Sequence, residues 1–162
     1  MAKLGDVLGY LTKNGTAFEV IEHVPAYSAH EVAVASRTAE NKLAKTLIVR
    51  ADDRFVMAVI PGDHRLDEHE LRALLGAKHL HLAHEEDLKP IFPDCELGAM
   101  PPFGNLYALP VYLDASLAKD DEIIFNACSH TKSIRMKTAE YVRLVHPSIA
   151  PFSHSRFEVA GG

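Results

Sequence analysis

Thr46-Leu47-Ile48-Val49-Arg50 and Phe55-Val56-Met57-Ala58-Val59-Ile60, joined by Ala51-Asp52-Asp53-Arg54, decide how this chain folds. Both runs are rich in β-branched and aliphatic residues, and the acidic pair between them suits a tight turn, because Asp tolerates left-handed backbone and bonds to nearby amides. A β-hairpin over residues 46–60 is therefore predicted. Upstream, Leu4, Val7, Leu8 and Leu11 recur at helical spacing and stop at Asn14-Gly15. A strand over residues 18–22 follows, ended by Pro25. Ser28, with Glu31 three residues on, forms a capping box for a second helix whose apolar positions are Val32, Val34 and Ala35. Downstream, residues 67–75 read as a helix ended by Gly76, 79–82 as a strand and 84–88 as a short helix before Pro90. After a loop dense in Pro and Gly come strands over 106–113, 122–126 and 131–136. Thr138 then caps a last helix that runs to Val145 and stops before Pro147. Helices scattered among hairpin-linked strands indicate an α+β domain with a mixed, largely antiparallel sheet flanked by helices, rather than a regular βαβ repeat.

The 162 residues, 48% hydrophobic and 24% charged, suit one domain, which buries roughly 68–70% of its unfolded surface. It is expected to span residues 1–157, with 158–162 as a frayed tail. No apolar run approaches the roughly 20 residues of a membrane span, and the first residues lack the long apolar stretch of a signal peptide. No membrane partner and a cytoplasmic location are the expectations. Cys95 and Cys128 are too few for a disulfide framework and have no CxxC spacing, so they read as reduced thiols. A net charge of -5 and a pI near 6.0 argue against a general nucleic-acid or DNA binder. Any contact with a nucleic acid must use a local basic patch. Lys42, Lys132, Arg135 and Lys137 are its candidates, the last two sharing a strand face opposite Ile134 and Met136. Among ten histidines, His79, His81 and His84 cluster without an HExxH pattern. They read as a solvated strand face, with no metal and no cofactor.

Chemistry concentrates in Glu96-Leu97-Gly98-Ala99-Met100-Pro101-Pro102-Phe103-Gly104. Gly98 and Gly104 permit positive φ, while Pro101 and Pro102 fix φ and remove two donors. The amides of Gly98, Ala99 and Met100 are left free to face a ligand, and such donors stabilise an oxyanion. Lys45 precedes the apolar run 46–49, so its ammonium is expected beside the cleft at that sheet edge. Ser129 and His130 fall on the connection between two strands. Neighbouring side chains diverge and no carboxylate is placed to orient the imidazole, so neither a Ser129–His130 nor a Cys128–His130 nucleophile is supported.

Three segments together, Leu43-Ala44-Lys45-Thr46-Leu47-Ile48-Val49, Gly98-x-x-x-Pro102 with Phe103-Gly104, and Phe125-x-x-x-Ser129-His130, resemble the YbaK and prolyl-tRNA synthetase editing-domain family. The likeness covers nearly the whole chain. It implies a compact α+β domain with its sheet curved around a substrate pocket, and metal-independent hydrolysis of the ester joining a misattached amino acid to tRNA. It also implies a transient association with a synthetase. The resemblance places Lys45 and the loop residues Gly98, Ala99, Met100 and Pro102 in the catalytic site, and Phe103, Cys128, Ser129 and His130 around the substrate. It implies that backbone groups and the terminal ribose hydroxyl of the tRNA replace a protein nucleophile. Cys128 stands where many relatives carry glycine. One methylene is worth only about 1–3 kcal/mol in an apolar pocket, so a second sieve acts on small residues such as Ala, Ser, Thr or Cys. A non-catalytic module of the same fold, holding a small ligand or a tRNA end, is the alternative.

Overall fold

The computed structural model describes residues 4–156; the expected tail at 158–162 lies outside them. The predicted hairpin forms and extends at both ends, as β2 (Ala44–Ala51) and β3 (Arg54–Pro61) in unbroken antiparallel register. Asp52 turns the corner with φ 55°. Its carboxylate accepts the amides of Lys78 at 3.1 Å and His79 at 2.9 Å, which pins the turn to the following strand. Apolar side chains lie on both faces of this hairpin, and each face has its own cover. Met57 and Val59 enter the main core with Leu113, Phe125 and Tyr141, while Val56, Ala58 and Ile60 pack with Leu71 and Phe152. Burial on both faces explains the near-continuous apolar run.

The other elements assemble around this pair. They are α1 (Leu4–Lys13), β1 (Phe18–Glu22), α2 (Ala29–Ser36), β4 (His64–Leu66), α3 (Glu68–Leu75), β5 (Leu80–Leu82) and α4 (Glu85–Ile91). Then follow β6 (Val111–Asp114), α5 (Ala115–Ala118), β7 (Glu122–Ser129), β8 (Lys132–Lys137), α6 (Thr138–Val145), β9 (Ser148–Ala150) and β10 (Ser153–Ser155). The strands form sheets ordered β5-β2-β3-β6-β9, β1-β8-β7 and β10-β4. Among the strand pairs of the described residues only β3–β6 and β6–β9 run parallel, so the arrangement is the mixed, largely antiparallel α+β fold expected.

Several local expectations change for identifiable reasons. Ser28 accepts the Glu31 amide as predicted, but the Glu31 carboxylate reaches the amide of Tyr27 instead of Ser28. In α2 the buried positions are Val32, Ala33 and Ser36, while Val34 is exposed. Pro90 lies inside α4 instead of ending it, and the Phe92 amide still reaches the Leu88 carbonyl at 2.8 Å. The strand expected over 106–113 is confined to Val111–Asp114, because Ala108 has φ 57° and Pro110 lacks an amide. Thr138 begins α6 but does not cap it; its hydroxyl has no partner among the described residues. The Asp114 carboxylate, which accepts the Phe152 amide at 2.9 Å, ties the last segment to β6.

Candidate functional site

β2 is paired unequally on its two sides. β3 covers its full length, but β5 meets only Val49–Ala51, extended by the Ala83 amide donating to the Ile48 carbonyl at 2.8 Å. Among the described residues, β2 is thus open on this side around Thr46, between β5 and the parallel bridge of Leu43 with Ile124. A cavity of about 330 Å³ lies along this edge. Its walls come from Tyr27, just before α2, and Val32 within it, Ala44–Ile48 of β2, Leu82 and Leu88, and Gly98, Met100 and Asn126. Alternation along the ladder decides which backbone groups face it. Ile48 points its carbonyl at β5, so Thr46, two residues earlier, points its amide and carbonyl at the same side, into the open edge.

The loop predicted from its Gly and Pro content forms one wall. Gly98 adopts φ 85°, where a side chain is strained. The Ala99 amide is not free as expected; it donates to the Glu96 carbonyl at 3.0 Å and closes the turn. The amides of Gly98 and Met100 have no acceptor among the described residues. Two backbone bonds clasp the loop to β7, from Cys128 to the Ala99 carbonyl at 2.9 Å and from Glu96 to the Cys128 carbonyl at 3.1 Å. Cys95 and Cys128 join in a disulfide across the same clasp, which corrects the expectation of reduced thiols. Their closeness is made by the loop folding back on β7, which nothing in a 33-residue separation announces. Cys128 is buried at φ 65°, a left-handed position that favours glycine.

His130 braces two walls. Its Nε2 lies 2.8 Å from the Leu97 carbonyl and its Nδ1 3.2 Å from the Ala26 carbonyl, and its ring packs 4.7 Å from that of Tyr27. Ser129 ends β7 with its hydroxyl 2.9 Å from that of Thr131, so it makes no dyad with His130. Pro102 and Phe103 belong to the core: the Tyr141 hydroxyl donates to the Pro102 carbonyl at 2.6 Å, and Phe103 packs against Phe125 and Tyr141. They hold the loop from beneath.

Lys45 shares the face of Leu47 and Val49, opposite Ala44 and Ile48. It is among the residues lining the cavity, but its amide and carbonyl face β3, and its ammonium, expected beside the open edge, instead donates to the His64 carbonyl at 2.9 Å on the opposite face of the strand. Burial pushes that ammonium below the ordinary lysine range, Arg156 adds to the effect, and Glu40 and Asp63 offset part of it. Sequence reasoning missed Thr46 and Asn126. Both line the cavity, and Thr46 Oγ1 and Asn126 Oδ1 are buried without a hydrogen-bond partner among the described residues.

The basic candidates lie away from these atoms and are partly neutralised. Arg135 pairs with Glu19 at 3.1 Å and Lys132 with Glu22 at 3.8 Å, as cross-strand neighbours of β1 and β8. Lys42 and Lys137 are exposed. His81 and His84 stack on the surface, and among the described residues no three His, Cys, Asp or Glu side chains are placed to hold a metal.

A family model described as the aminoacyl-tRNA editing domain matches residues 23–144, a span that holds the open edge, the loop and the clasp. The chain belongs to this family. It is 28% identical over 151 residues to the multifunctional Ser/Thr-tRNA deacylase ProXp-y of Escherichia coli K12, with 90% of each chain covered. It is 29% identical over 115 residues to a proline–tRNA ligase of Macrococcus caseolyticus, covering 69% of this chain and 20% of the ligase. Among solved structures, a candidate trans-editing enzyme for prolyl tRNA synthetase superposes with a TM-score of 0.83 at 24% identity, over 93% of this chain and 96% of that one. That last likeness is one of fold.

Proposed function

We propose that this editing-domain chain is a deacylase acting in trans, which hydrolyses the ester of a tRNA carrying a small misattached amino acid, Ala, Ser, Thr or Cys, without a metal. The observation that carries the reading is the cavity on the open β2 edge with the two unoccupied amides of Gly98 and Met100 at its wall. Water adds to the ester carbonyl, the carbonyl oxygen becomes an oxyanion held by these amides, and the bond to the ribose oxygen then breaks. The ribose hydroxyl leaves with one proton of the water, and the amino acid departs as carboxylate with release of the other. Preorganised donors of this kind are each worth about 2.7–4 kcal/mol in the transition state.

Among the described residues no His, Asp or Glu side chain lines the cavity to activate a serine or threonine, and the Ser28 hydroxyl is occupied in capping α2. This supports water, positioned with the help of the terminal ribose, as the nucleophile. The absence of a metal-holding cluster among the described residues supports the metal-free reading. The named activity of the E. coli relative favours the hydroxyl amino acids within the small set, and the ligase likeness favours a tRNA specific for proline and a passing encounter with its synthetase. A time course with tRNAs charged with Ala, Ser, Thr, Cys and Pro tests the proposal. Release of one or more small residues well above the spontaneous rate, in EDTA and with Pro spared, is expected. Spontaneous rates for all five would turn the reading to a non-catalytic binding module.

A further inference from the structure

We propose that Thr46 and Asn126 form the site for the α-ammonium of the aminoacyl group, an inference that rests on the cavity being the aminoacyl-ester site. Each has a buried polar atom without a partner among the described residues, Thr46 Oγ1 and Asn126 Oδ1, and both residues line the cavity. A buried oxygen left unpaired is unfavourable, so two of them in one cavity mark where a donor belongs. The orientation of the Asn126 amide is set by its nitrogen, which donates to the Gly98 carbonyl at 3.4 Å. Its oxygen is therefore the free group, and it can only accept.

The donor these atoms await follows from counting. The Thr46 carbonyl lies on the same open edge, as the ladder alternation requires, so the wall offers three neutral acceptors: Asn126 Oδ1, Thr46 Oγ1 and the Thr46 carbonyl. Among the described residues no Asp or Glu lines the cavity to hold a cation by charge. An alanyl, seryl, threonyl or cysteinyl ester carries in its protonated form a primary ammonium with three N–H donors, which matches three acceptors. The hydroxyl of a serine or threonine side chain brings one proton and satisfies one of them. Asn126 also links this site to the reacting atoms. Its nitrogen holds the carbonyl of Gly98, whose amide is one of the two proposed oxyanion donors, and the ester carbonyl lies one carbon from the ammonium. Thr46 and Asn126 thus act as positioning residues that place the carbonyl against the loop.

The probe is 3′-seryl-amino-3′-deoxyadenosine, in which an amide replaces the ester, compared with its N-acetylated form by calorimetry. The wild-type chain is expected to bind the free amine about 10–150-fold more tightly. Thr46→Val and Asn126→Leu should each lose about that factor for the free amine and leave the weak binding of the N-acetyl form unchanged. The alanyl probe should lose as much as the seryl probe. Equal binding of free and acetylated probes by the wild type overturns the proposal. So does a loss in Thr46→Val confined to the seryl probe, which would assign the hydroxyl to the side chain. Because binding is read without turnover, tight amine-dependent binding by a chain that cleaves no charged tRNA would sink the deacylase reading and uphold this site. Thr46→Val gives up no hydrogen bond and should melt no lower than wild type; if Asn126→Leu fails to fold, the acetylation comparison in the wild type still decides.

Discussion

Replacing Gly98 with alanine separates the chemistry of the loop from its stability. Gly98 sits at φ 85°, and an added Cβ would lie 3.6 Å from His130 Cε1, an ordinary contact. The new methyl therefore has room, and the cost is in the backbone, about 1–2 kcal/mol for a left-handed L-residue. At about 2–4 °C per kcal/mol for a domain of this size, the melting temperature should fall by about 2–8 °C. The loop can escape that strain by rotating the peptide that carries the Gly98 amide. If this amide and that of Met100 hold the oxyanion, the rotation removes a donor and lowers kcat by about 10²–10³. Single-turnover deacylation of the best charged tRNA, beside a thermal melt and probe binding, gives the three numbers needed. The expected pattern is a folded variant with near-normal probe affinity and a loss of about a hundredfold or more in the chemical step. A fully active variant that melts several degrees lower would show that the Gly98 amide does no chemistry, and the loop would be a stiff connection only.

If the Lys45 ammonium exchanges the His64 carbonyl for the bound tRNA end, Lys45→Ala should slow kcat/KM by about 10–150-fold, the worth of one charge-assisted hydrogen bond, with incomplete rescue by Lys45→Arg; wild-type rates would leave it bound to His64 and remove it from the site. The depressed Lys45 titration also has a stability sign. Between its lowered folded value and the ordinary 10.5, the unfolded chain keeps the proton that the folded chain has released, so stability rises with pH there. The advantage of Lys45→Met over wild type in urea melts should therefore be largest at neutral pH and fade toward pH 10.5; a pH-independent gap would contradict this. Loss of the Cys95–Cys128 bridge in Cys95→Ala should cost about 2–4 kcal/mol by denaturant titration, as is typical for a disulfide. Cys128→Gly should cost about 1–2 kcal/mol less than Cys128→Ala, because φ there is 65°; the reverse order would count against the strained clasp. With Lys132 and Arg135 already facing Glu22 and Glu19, log affinity for tRNA against log salt should be shallower than about -3.6, the most that four phosphate contacts supply; a steeper slope would mean a basic surface beyond Lys42, Lys132, Arg135 and Lys137.

The hairpin at the heart of the fold was legible because its signals agree: β-branched runs on both sides of an Asp-Asp turn, with a length only a two-sided core explains. The short strands His64–Leu66, Ser148–Ala150 and Ser153–Ser155 are not, since three residues are too few to show a period and each is defined by the partner strand it pairs with. At the site, the Gly98–Met100 loop announced itself through its composition, but which of its three amides stay free depends on the Glu96 carbonyl turning back to take that of Ala99. Thr46 looked like any β-branched residue in a strand. Its importance comes from pairing, because β5 stops at Val49 and leaves the edge beyond it open. Phe103 reads equally as a pocket aromatic or a core one until Phe125 and Tyr141 are seen against it.

The most direct measurement is a crystal structure of the chain with 3′-seryl-amino-3′-deoxyadenosine. The expected result is the seryl group in the cavity along residues 44–48, with its carbonyl oxygen within hydrogen-bonding distance, about 2.7–3.2 Å, of the Gly98 and Met100 amides. An aminoacyl group bound elsewhere, or seated in the cavity with its carbonyl turned away from the loop, would contradict the account.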